Sequence, residues 1–289
     1  MINKQFGRTL TATIGQLGDS RGVKIQNLKM NFTGTKTNDR DQNTGTLRIF
    51  NLSQRDIASI VSQGKNMGVN IEAGLGNNVD YVFIGNVLHA HGEKQQTNNI
   101  LTLEIIDGLV STSQVWFAKS YAGVVDPFTI LADIVAEMRL FTDLQIGEIT
   151  GEKVPFYQNG FVWNGTANSA LNRICTDKKL QWFIADNMIN ILEYETPLTN
   201  PLVPLLTADT GLIGSPQFFE DDAGDNPEKW TERGVSFSCL LNPKIKIGSE
   251  VKIESNNYND HYLVRKISYD LDSHEGNFLM NCEAINEWV

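Results

Sequence analysis

The fold is indicated first by residues 45–53, which read Gly45-Thr46-Leu47-Arg48-Ile49-Phe50-Asn51-Leu52-Ser53. Polar and apolar side chains alternate through this stretch, as they do in a strand with one buried face. Its final residue, Ser53, is predicted to be the N-cap of a short helix over residues 54–62. The apolar face of that helix is formed by Ile57, Ile60 and Val61. Gly64 is predicted to end it.

The same alternation recurs at short intervals on both sides of this stretch. Strands are predicted in residues 8–14, 23–26, 28–32, 69–74, 81–87 and 100–106. Residues 17–22 are predicted to form a turn and residues 38–45 a loop. We expect one shared interior to be faced by Ala12, Ile14, Val23 and Ile25. Short strands at this spacing, separated by Gly/Asn turns, indicate a barrel or a sandwich.

The middle of the chain changes to helical periodicity. Residues 126–139 have apolar side chains at helical spacing, with Pro127 in the first turn. Residues 166–178 are predicted to form a second helix, and residues 180–192 a hairpin with its turn at residues 185–187. This order predicts a small α+β module inserted between β segments.

Strand periodicity returns after a proline-containing linker at residues 196–204. Strands are predicted in residues 234–241, 251–254, 262–269 and 278–285. The acidic residues 220–230 are predicted to form a surface loop. The fold class is therefore α+β, mainly β, with two β regions flanking the inserted module as a kind of internal duplication.

Length, composition and charge exclude several classes of protein. The 289 residues suit two modest domains or one domain with an insertion, and 41% hydrophobic residues indicate a globular chain. No apolar run approaches the roughly 20 residues that span a bilayer, and the first residues lack the apolar stretch of a secretory signal. We therefore expect a soluble protein that stays in the compartment where it is made.

The net charge of −10 bears on possible partners. Binding to nucleic acid or to an anionic membrane surface needs a surplus of Lys and Arg, so both are disfavoured. An acidic surface would, however, suit a protein past which DNA must slide without adhering, because like charges repel.

The three cysteines, Cys175, Cys239 and Cys282, are too few and too scattered for a disulfide framework. Each has apolar neighbours, so we expect three small buried hydrophobic side chains. A reducing cytoplasm fits this use of cysteine.

Few residues suggest metal chemistry. His89 and His91 would point to the same face of a strand and Glu93 would extend the row, but no further ligand lies nearby. His261 and His274 stand alone. The acidic residues Asp221, Asp222 and Asp225 lack the spacing of a calcium loop, so a solvated loop is favoured.

Signals for phosphate binding and catalysis are equally sparse. Gly74-Leu75-Gly76-Asn77-Asn78 lacks the Lys-Ser/Thr of a phosphate loop and is predicted to be a turn. The sequence has no G-x-S-x-G motif and no Cys beside a His. Aromatic residues occur in three short runs, Trp116-Phe117, Phe161-Val162-Trp163 and Trp182-Phe183. Packing in the core or at a subunit interface is the favoured role for them. We therefore predict no catalytic, cofactor-binding or metal-binding residues, no cofactor and no enzyme activity.

Several segments, in their order along the chain, resemble a known family. They are Phe6-Gly7-Arg8-Thr9-Leu10-Thr11-Ala12-Thr13-Ile14, the stretch from Gly45 to Ser53, Phe83-Ile84-Gly85-Asn86-Val87, the helix beginning Gly165-Thr166-Ala167-Asn168-Ser169-Ala170-Leu171, the hairpin around Trp182, Thr210-Gly211-Leu212-Ile213-Gly214-Ser215-Pro216, and Leu240-Leu241-Asn242-Pro243-Lys244-Ile245-Lys246-Ile247-Gly248. The chain resembles, over nearly its whole length, the baseplate hub proteins of contractile-tailed bacteriophages. These are related to late-control D proteins and to the hub half of type VI secretion spike proteins.

This resemblance implies two tail-tube-like β-barrels, at residues 1–115 and 201–289, flanking an α+β insertion at residues 116–200. Three chains would form a ring that joins the tail tube to the central spike, with DNA passing through its lumen. The implied partners are the chain itself as a homotrimer, the tube protein, the spike protein, and baseplate wedge or tape-measure proteins, with DNA only in transit and no membrane. The implied location is the virion, after synthesis in the host cytoplasm.

Three other functions stay open at this point. A distal tail protein of a non-contractile phage would form a hexamer at the same level of the tail. A tail-associated binding module would carry aromatic side chains on one exposed face. A cell-wall hydrolase carried in the tail would need a cleft with two convergent carboxylates or a zinc site.

Overall fold

The computed structural model describes residues 7–16, 22–38, 42–64, 67–107, 115–142, 144–151, 154–194, 196–199, 202–221 and 232–288. The strands are β1 Arg8–Gln16, β2 Val23–Ile25, β3 Met30–Thr37, β4 Thr44–Phe50, β5 Met67–Leu75, β6 Asn78–Gln95, β7 Asn98–Ile106, β8 Trp116–Tyr121, β9 Gln145–Ile149, β10 Phe161–Thr166, β11 Leu180–Ala185, β12 Met188–Glu193, β13 Leu205–Leu206, β14 Leu212–Asp221, β15 Glu232–Leu240, β16 Glu250–Glu254, β17 Asn259–Asp272 and β18 Phe278–Trp288. The helices are α1 Gln54–Gln63, α2 Pro127–Leu140 and α3 Ala167–Lys178, and a 3-10 turn covers Ala208–Thr210.

The predicted start and end of α1 are confirmed. The hydroxyl of Ser53 accepts a hydrogen bond of 3.1 Å from the backbone N–H of Asp56, which satisfies a donor of the first turn. At the other end Gly64 has a φ of +52°, a conformation that glycine adopts without strain. Ile60 is buried and Ile57 packs partly buried against the core, whereas Val61, also predicted for the apolar face, is 39% exposed.

We predict that Ser53→Ala lowers the free energy of unfolding by about 1 kcal/mol, because it removes this N-cap. Urea denaturation would measure the change. Ser62→Ala is the matched control: this exposed hydroxyl donates to the Ser59 carbonyl at the other end of α1, and its loss should stay within about 0.5 kcal/mol. Equal effects of the two changes would contradict the capping role.

Strands from both ends of the chain join one 13-stranded sheet. Its order is β14-β15-β18-β17-β3-β4-β7-β6-β5-β1-β2, with β16 pairing with β17 and β13 pairing with β16. The two regions meet where β17 runs antiparallel to β3, from Lys266 opposite Thr37 to Asp272 opposite Asn31. The predicted pair of separately closed barrels is therefore not found in the described strands. The physical reason is that β3 and β17 pair with each other, which leaves a hydrogen-bonded path with two ends, β14 and β2.

One hydrophobic core underlies both regions, and its aromatic centre lies at their junction. Phe32, on β3, contacts Phe83 with ring centroids 5.5 Å apart and Tyr269 at 6.1 Å. All three rings are buried. The β regions are thus joined by packing as well as by backbone hydrogen bonds.

The predicted internal duplication has a clear counterpart in the sheet. In the first half the hairpin β3–β4 lies beside the hairpin β6–β7, and in the second half β14–β15 lies beside β17–β18. A further strand, β5 with nine residues or β16 with five, pairs with the first part of the long strand of each half. The register of β6 against β7 shifts between Val87 and His89. The register of β17 against β18 shifts at the equivalent place, between Val264 and Lys266.

The insertion has a hydrophobic core of its own. Helices α2 and α3 begin at N-caps Asp126 and Thr166 and pack on the three-stranded sheet β11-β12-β9 and the two-stranded sheet β10-β8. Buried side chains of this core include Ile134, Leu171 and Ile191. The predicted helices and hairpin are confirmed, whereas β8, β9 and β10 were not predicted.

Two local predictions are wrong. Val23 is 64% exposed, because it lies at the end of the three-residue edge strand β2, while its expected companions Ala12, Ile14 and Ile25 are buried. The predicted acidic loop begins within a strand, since β14 continues to Asp221. The rest of that loop, and most of the predicted turn at residues 17–22, lie outside the described residues.

None of the helices in the described part of the chain combines the length and the apolar character needed to cross a bilayer.

Candidate channel face and assembly surfaces

The outward side of the eight-stranded segment β14-β15-β18-β17-β3-β4-β7-β6 is mostly polar, with Ile213 as an exposed apolar exception, and we call it the polar face. Outward side chains alternate with buried ones along the strands. On β3, Thr33 and Thr35 point outward, and the residues at the alternate positions point into the core. One cross-strand row crosses the junction as Asp270, Thr33, Thr46 and Glu104 and continues in the second half as the half-buried Leu279 and Leu240. A second row contains Ser238, Asn281, Ser268, Thr35 and Thr44. The polar face is therefore continuous over both halves of the sheet.

Basic side chains on the polar face are neutralised by carboxylates. Lys266 Nζ lies 2.9 Å from Glu283 Oε1, and Arg48 Nη2 lies 4.0 Å from Glu93 Oε1. Glu104 and Asp270 add negative charge, and Asp270 accepts a hydrogen bond of 2.7 Å from the side chain of Asn277. A surface of hydroxyls, amides and carboxylates with paired cations attracts a phosphate backbone weakly, because free Lys and Arg supply that attraction.

A buried polar cluster joins the insertion to the large sheet. The β11–β12 turn consists of Asp186 and Asn187, both with positive φ, as in a two-residue type I′ hairpin. The carboxylate of Asp107, at the end of β7, accepts the backbone N–H groups of Asp186 at 2.8 Å and Asn187 at 3.1 Å. Lys36, from β3, places Nζ 2.5 Å from Asp186 Oδ1. Asn43 donates to the Ile184 carbonyl at 2.8 Å, so the turn is held from several sides.

The electrostatics of this cluster depend on its burial. Lys36 is only 3% exposed, and its ammonium group lies 5.3 Å from the centre of the Phe83 ring. Burial raises the pKa of Asp107 to about 6, since desolvation disfavours the carboxylate, while the positive charge of Lys36 opposes this rise. The cation thus compensates two carboxylates, and its loss would leave both without a counter-charge.

The two-stranded sheet β10-β8 presents apolar side chains to solvent. Trp116 is 61% exposed and Val162 71% exposed, and the indole N–H of Trp116 donates to Asn164 Oδ1 at 3.0 Å. On the other side Phe161 and Trp163 stack with ring centres 6.4 Å apart. The predicted packing role holds for Phe117, Trp182 and Phe183, which are buried.

The candidate metal residues are placed on β6 as predicted. His89 and His91 are exposed, and Glu93 faces Arg48. Within the described ranges, no three His, Cys, Asp or Glu side chains come close enough together to hold a metal ion. His261 contacts Glu250 at 2.7 Å, and His274 Nδ1 lies 2.9 Å from the hydroxyl of Ser273.

The remaining candidate residues that the structure describes lie in the core, in a turn and at the end of a strand. Cys175, Cys239 and Cys282 are buried free thiols, as predicted. Within the glycine-containing residues 74–78, residues 76–77 form the turn between β5 and β6, with Gly76 at a φ of +61°. Asp221 lies at the end of β14, and Asp222 and Asp225 lie outside the described residues.

Sequence reasoning missed the buried polar cluster. A signal was present, because Lys36 follows Met30, Phe32 and Gly34 at the inward positions of β3. A charged residue at an inward position needs a buried partner. The identity of that partner was not predictable, since Asp186 is 150 residues away along the chain.

Solved structures of similar fold come from phage tails and a related secretion machine. The tail protein from Neisseria meningitidis MC58 aligns over 98% of this chain and 97% of its own, with a TM-score of 0.64 and 9% identity. The 43 kDa tail protein of prophage MuSo2 from Shewanella oneidensis gives 0.60 and 10% identity over 96% and 97% of the two chains. The E. coli c3393 protein, a component of the type VI secretion system described as similar to the T4 bacteriophage tail proteins gp27 and gp5, gives 0.62 and 9% identity over 95% and 76%.

Sequence comparison adds the family. No curated protein matches this sequence. The sequence profile of the family described as Baseplate hub gp41 matches residues 10–284, which is nearly the whole chain. The chain belongs to the Baseplate hub gp41 family.

Proposed function

We propose that three copies of this chain form the baseplate ring that joins a phage tail tube to its central spike. Membership of the family makes the chain a structural component of a phage tail baseplate. Its role is to assemble and to leave a passage for DNA, without catalysing a reaction. We propose further that the tail to which this ring belongs is contractile.

The polar face is the observation that carries the proposed passage. It is wide, because it runs over eight neighbouring strands, and it is continuous across the β17–β3 junction. Its cations lie beside carboxylates, and the whole chain has a net charge of −10. A lumen of this chemistry would let the polyanion pass without holding it.

The internal duplication supports the number of subunits. Each chain supplies two similar four-stranded units to the sheet, so a ring of three chains would present six such units around its axis. Such a ring can face a six-fold tube on one side and a three-fold spike on the other. The tube-like units are proposed for residues 1–115 and 201–289 and the insertion for residues 116–200, with the open sheet of each unit completed by its neighbours in the ring.

The proposed partners are the tube protein and the spike protein, with wedge or tape-measure proteins at the periphery. A spike partner is supported by the fold shared with a chain from a structure described as the PdpA–VgrG complex, aligned over 97% of this chain at a TM-score of 0.59 and 8% identity. The exposed Trp116 and Val162 on the insertion offer an apolar surface for such contacts.

We predict a ring of three subunits for the assembled protein. Mass photometry of the purified chain and the rotational symmetry of its density in intact tails would measure this number. A monomer in the virion, or six copies in each tail, would contradict the proposal. Six copies would favour a distal tail protein instead.

A further inference from the structure

We propose that the buried pair of Lys36 and Asp186 is a site of covalent modification, at which the amine and the carboxyl condense to an amide within one chain. The bond would join β3 of the large sheet to the β11–β12 turn of the insertion, between positions 150 residues apart. This inference goes beyond the proposed hub function and does not depend on the number of subunits in the ring.

The two groups already lie close to reacting distance. Lys36 Nζ is 2.5 Å from Asp186 Oδ1, so the carboxyl carbon, one bond further on, lies near the separation of about 3–3.5 Å from which such reactions begin. Both partners are held in place. The Lys36 ammonium group lies over the Phe83 ring, and the Asp107 carboxylate binds the backbone of the turn that carries Asp186. An amine and a carboxyl fixed in this way have little entropy left to lose when they react.

Water is nearly excluded from the pair. The side chains of Lys36 and Asp186 are 3% and 9% exposed. An ammonium ion cannot attack a carboxyl group, so a proton must first pass from Lys36 to Asp186. Away from water both ions have lost their hydration, and this transfer, which neutralises both, therefore costs less than it does at the surface.

The reaction balances with groups that the cluster contains. The ion pair is the starting state in the freshly folded chain. After the proton transfer the Lys36 nitrogen attacks Asp186 Cγ, and an N–C bond forms. The Asp107 carboxylate, which binds the same turn, accepts the proton that the nitrogen loses and returns it to the departing hydroxyl. The C–O bond then breaks, so the products are one amide and one water, and no oxidant or other reactant is consumed.

The released water has a place to go. Lys36 and Asp186 both line a cavity of about 60 Å³, whose wall also contains Tyr81, Met188 and Tyr269. A cavity needs roughly 10–15 Å³ by this measure to hold one water molecule. The cavity can therefore take up the water that leaves the carboxyl.

An exposed pair on the insertion provides an internal control. Lys119 Nζ lies 2.6 Å from Asp133 Oδ2, almost the same distance as in the buried pair. Its side chains are 47% and 34% exposed, so both ions remain hydrated. We expect no amide there, because the neutral amine and acid that the reaction needs are not favoured in water.

Mass spectrometry of the full chain tests the proposal without any variant. Folded protein incubated at mildly alkaline pH should lose the mass of one water molecule. Protease digestion should then give one branched peptide that joins Lys36 to Asp186, and trypsin should no longer cleave after Lys36. Chain kept in urea should retain its full mass, because unfolding separates the two groups. A folded chain that keeps its full mass after days, or that loses water equally at Lys119, overturns the proposal.

Two variants establish which lysine reacts. Lys36→Met removes the attacking amine and should keep its full mass under the same conditions. Lys119→Met removes the exposed lysine and should still lose one water, at the wild-type rate. Circular dichroism would verify that each variant is folded. Loss of water from folded Lys36→Met would overturn the assignment of the amide to this pair.

The pH profile separates a role of Asp107 in the reaction from a role in holding the turn. Burial raises the pKa of Asp107 to about 6, and Lys36 and Asp186 are the charged groups that act on it. Bond formation should slow as the pH falls below about 6, because protonated Asp107 cannot accept the proton. Asp107→Asn keeps the shape of the side chain and should slow the reaction about a hundredfold or more.

The outcomes also distinguish this inference from the hub function. Bond formation that is independent of pH, or as fast in Asp107→Asn as in the wild type, would overturn the role of Asp107. A chain that never forms the amide and still assembles into a ring of three would overturn the modification and leave the hub function standing.

Discussion

Replacing Lys36 with Met is expected to lower the free energy of unfolding by about 3 to 5 kcal/mol, because removing one partner of a buried ion pair leaves the other charge uncompensated. Lys36 is 3% exposed and lies 2.5 Å from Asp186. Met fills nearly the same volume, so the loss reports the charge rather than a cavity. Urea denaturation at neutral pH would measure it.

The expected loss depends on pH in a defined direction. Burial raises the pKa of Asp107 from 3.8 to about 6, so ionisation of this carboxyl costs stability as pH rises from about 4 to above 6. Without Lys36 its pKa would rise further, because the opposing positive charge is gone. The difference between variant and wild type should therefore be largest above pH 6 and smaller at pH 5.

The matched control is Lys266→Met, which breaks the pair with Glu283. Lys266 is 45% exposed, so the expected loss is below about 1 kcal/mol. Similar losses for the two variants, or a Lys36→Met effect that does not change with pH, would contradict the role given to the buried cluster.

The contrast between these two lysines shows what sequence patterns can and cannot predict. The alternation in β3 and β17 correctly predicted strands and the helical spacing predicted α2 and α3, because these signals lie within about ten residues. The same alternation, continued beyond the predicted residues 28–32, would have placed Lys36 on the inward side, but it could not have named its partner on the β11–β12 turn. Pairing between distant segments depends on the tertiary fold.

Strand order was subject to the same limit. Two β regions were predicted correctly, but their union through β17 and β3 was not, because the residues that pair lie more than 200 positions apart. β14 was missed because Gly214 and Pro216 interrupt its alternation, and both residues mark an irregular edge strand. The polar face could be identified only once the strand order of the large sheet was known. Its assignment as a lumen is a proposal that the next experiment tests.

Freeing the cations of the polar face is expected to make the ring bind DNA. The double variant Glu283→Gln/Glu93→Gln removes the carboxylates beside Lys266 and Arg48. A three-fold ring would then expose six cations to its lumen. Because each phosphate contact releases counterions, binding of a short duplex should weaken roughly thousandfold between 50 and 200 mM salt, whereas the wild-type ring should bind little DNA at either concentration.

The control for this prediction is Glu254→Gln, which frees Lys252 on β16, outside the eight-stranded segment. It replaces one carboxylate with an amide, against two in the double variant, and should leave DNA binding near the wild-type level. Fluorescence anisotropy of a labelled duplex would measure binding, and the release of DNA from phage carrying each variant would show whether freed cations slow ejection. Equal DNA binding by both variants would mean that the polar face does not line the passage, even if the ring has three subunits.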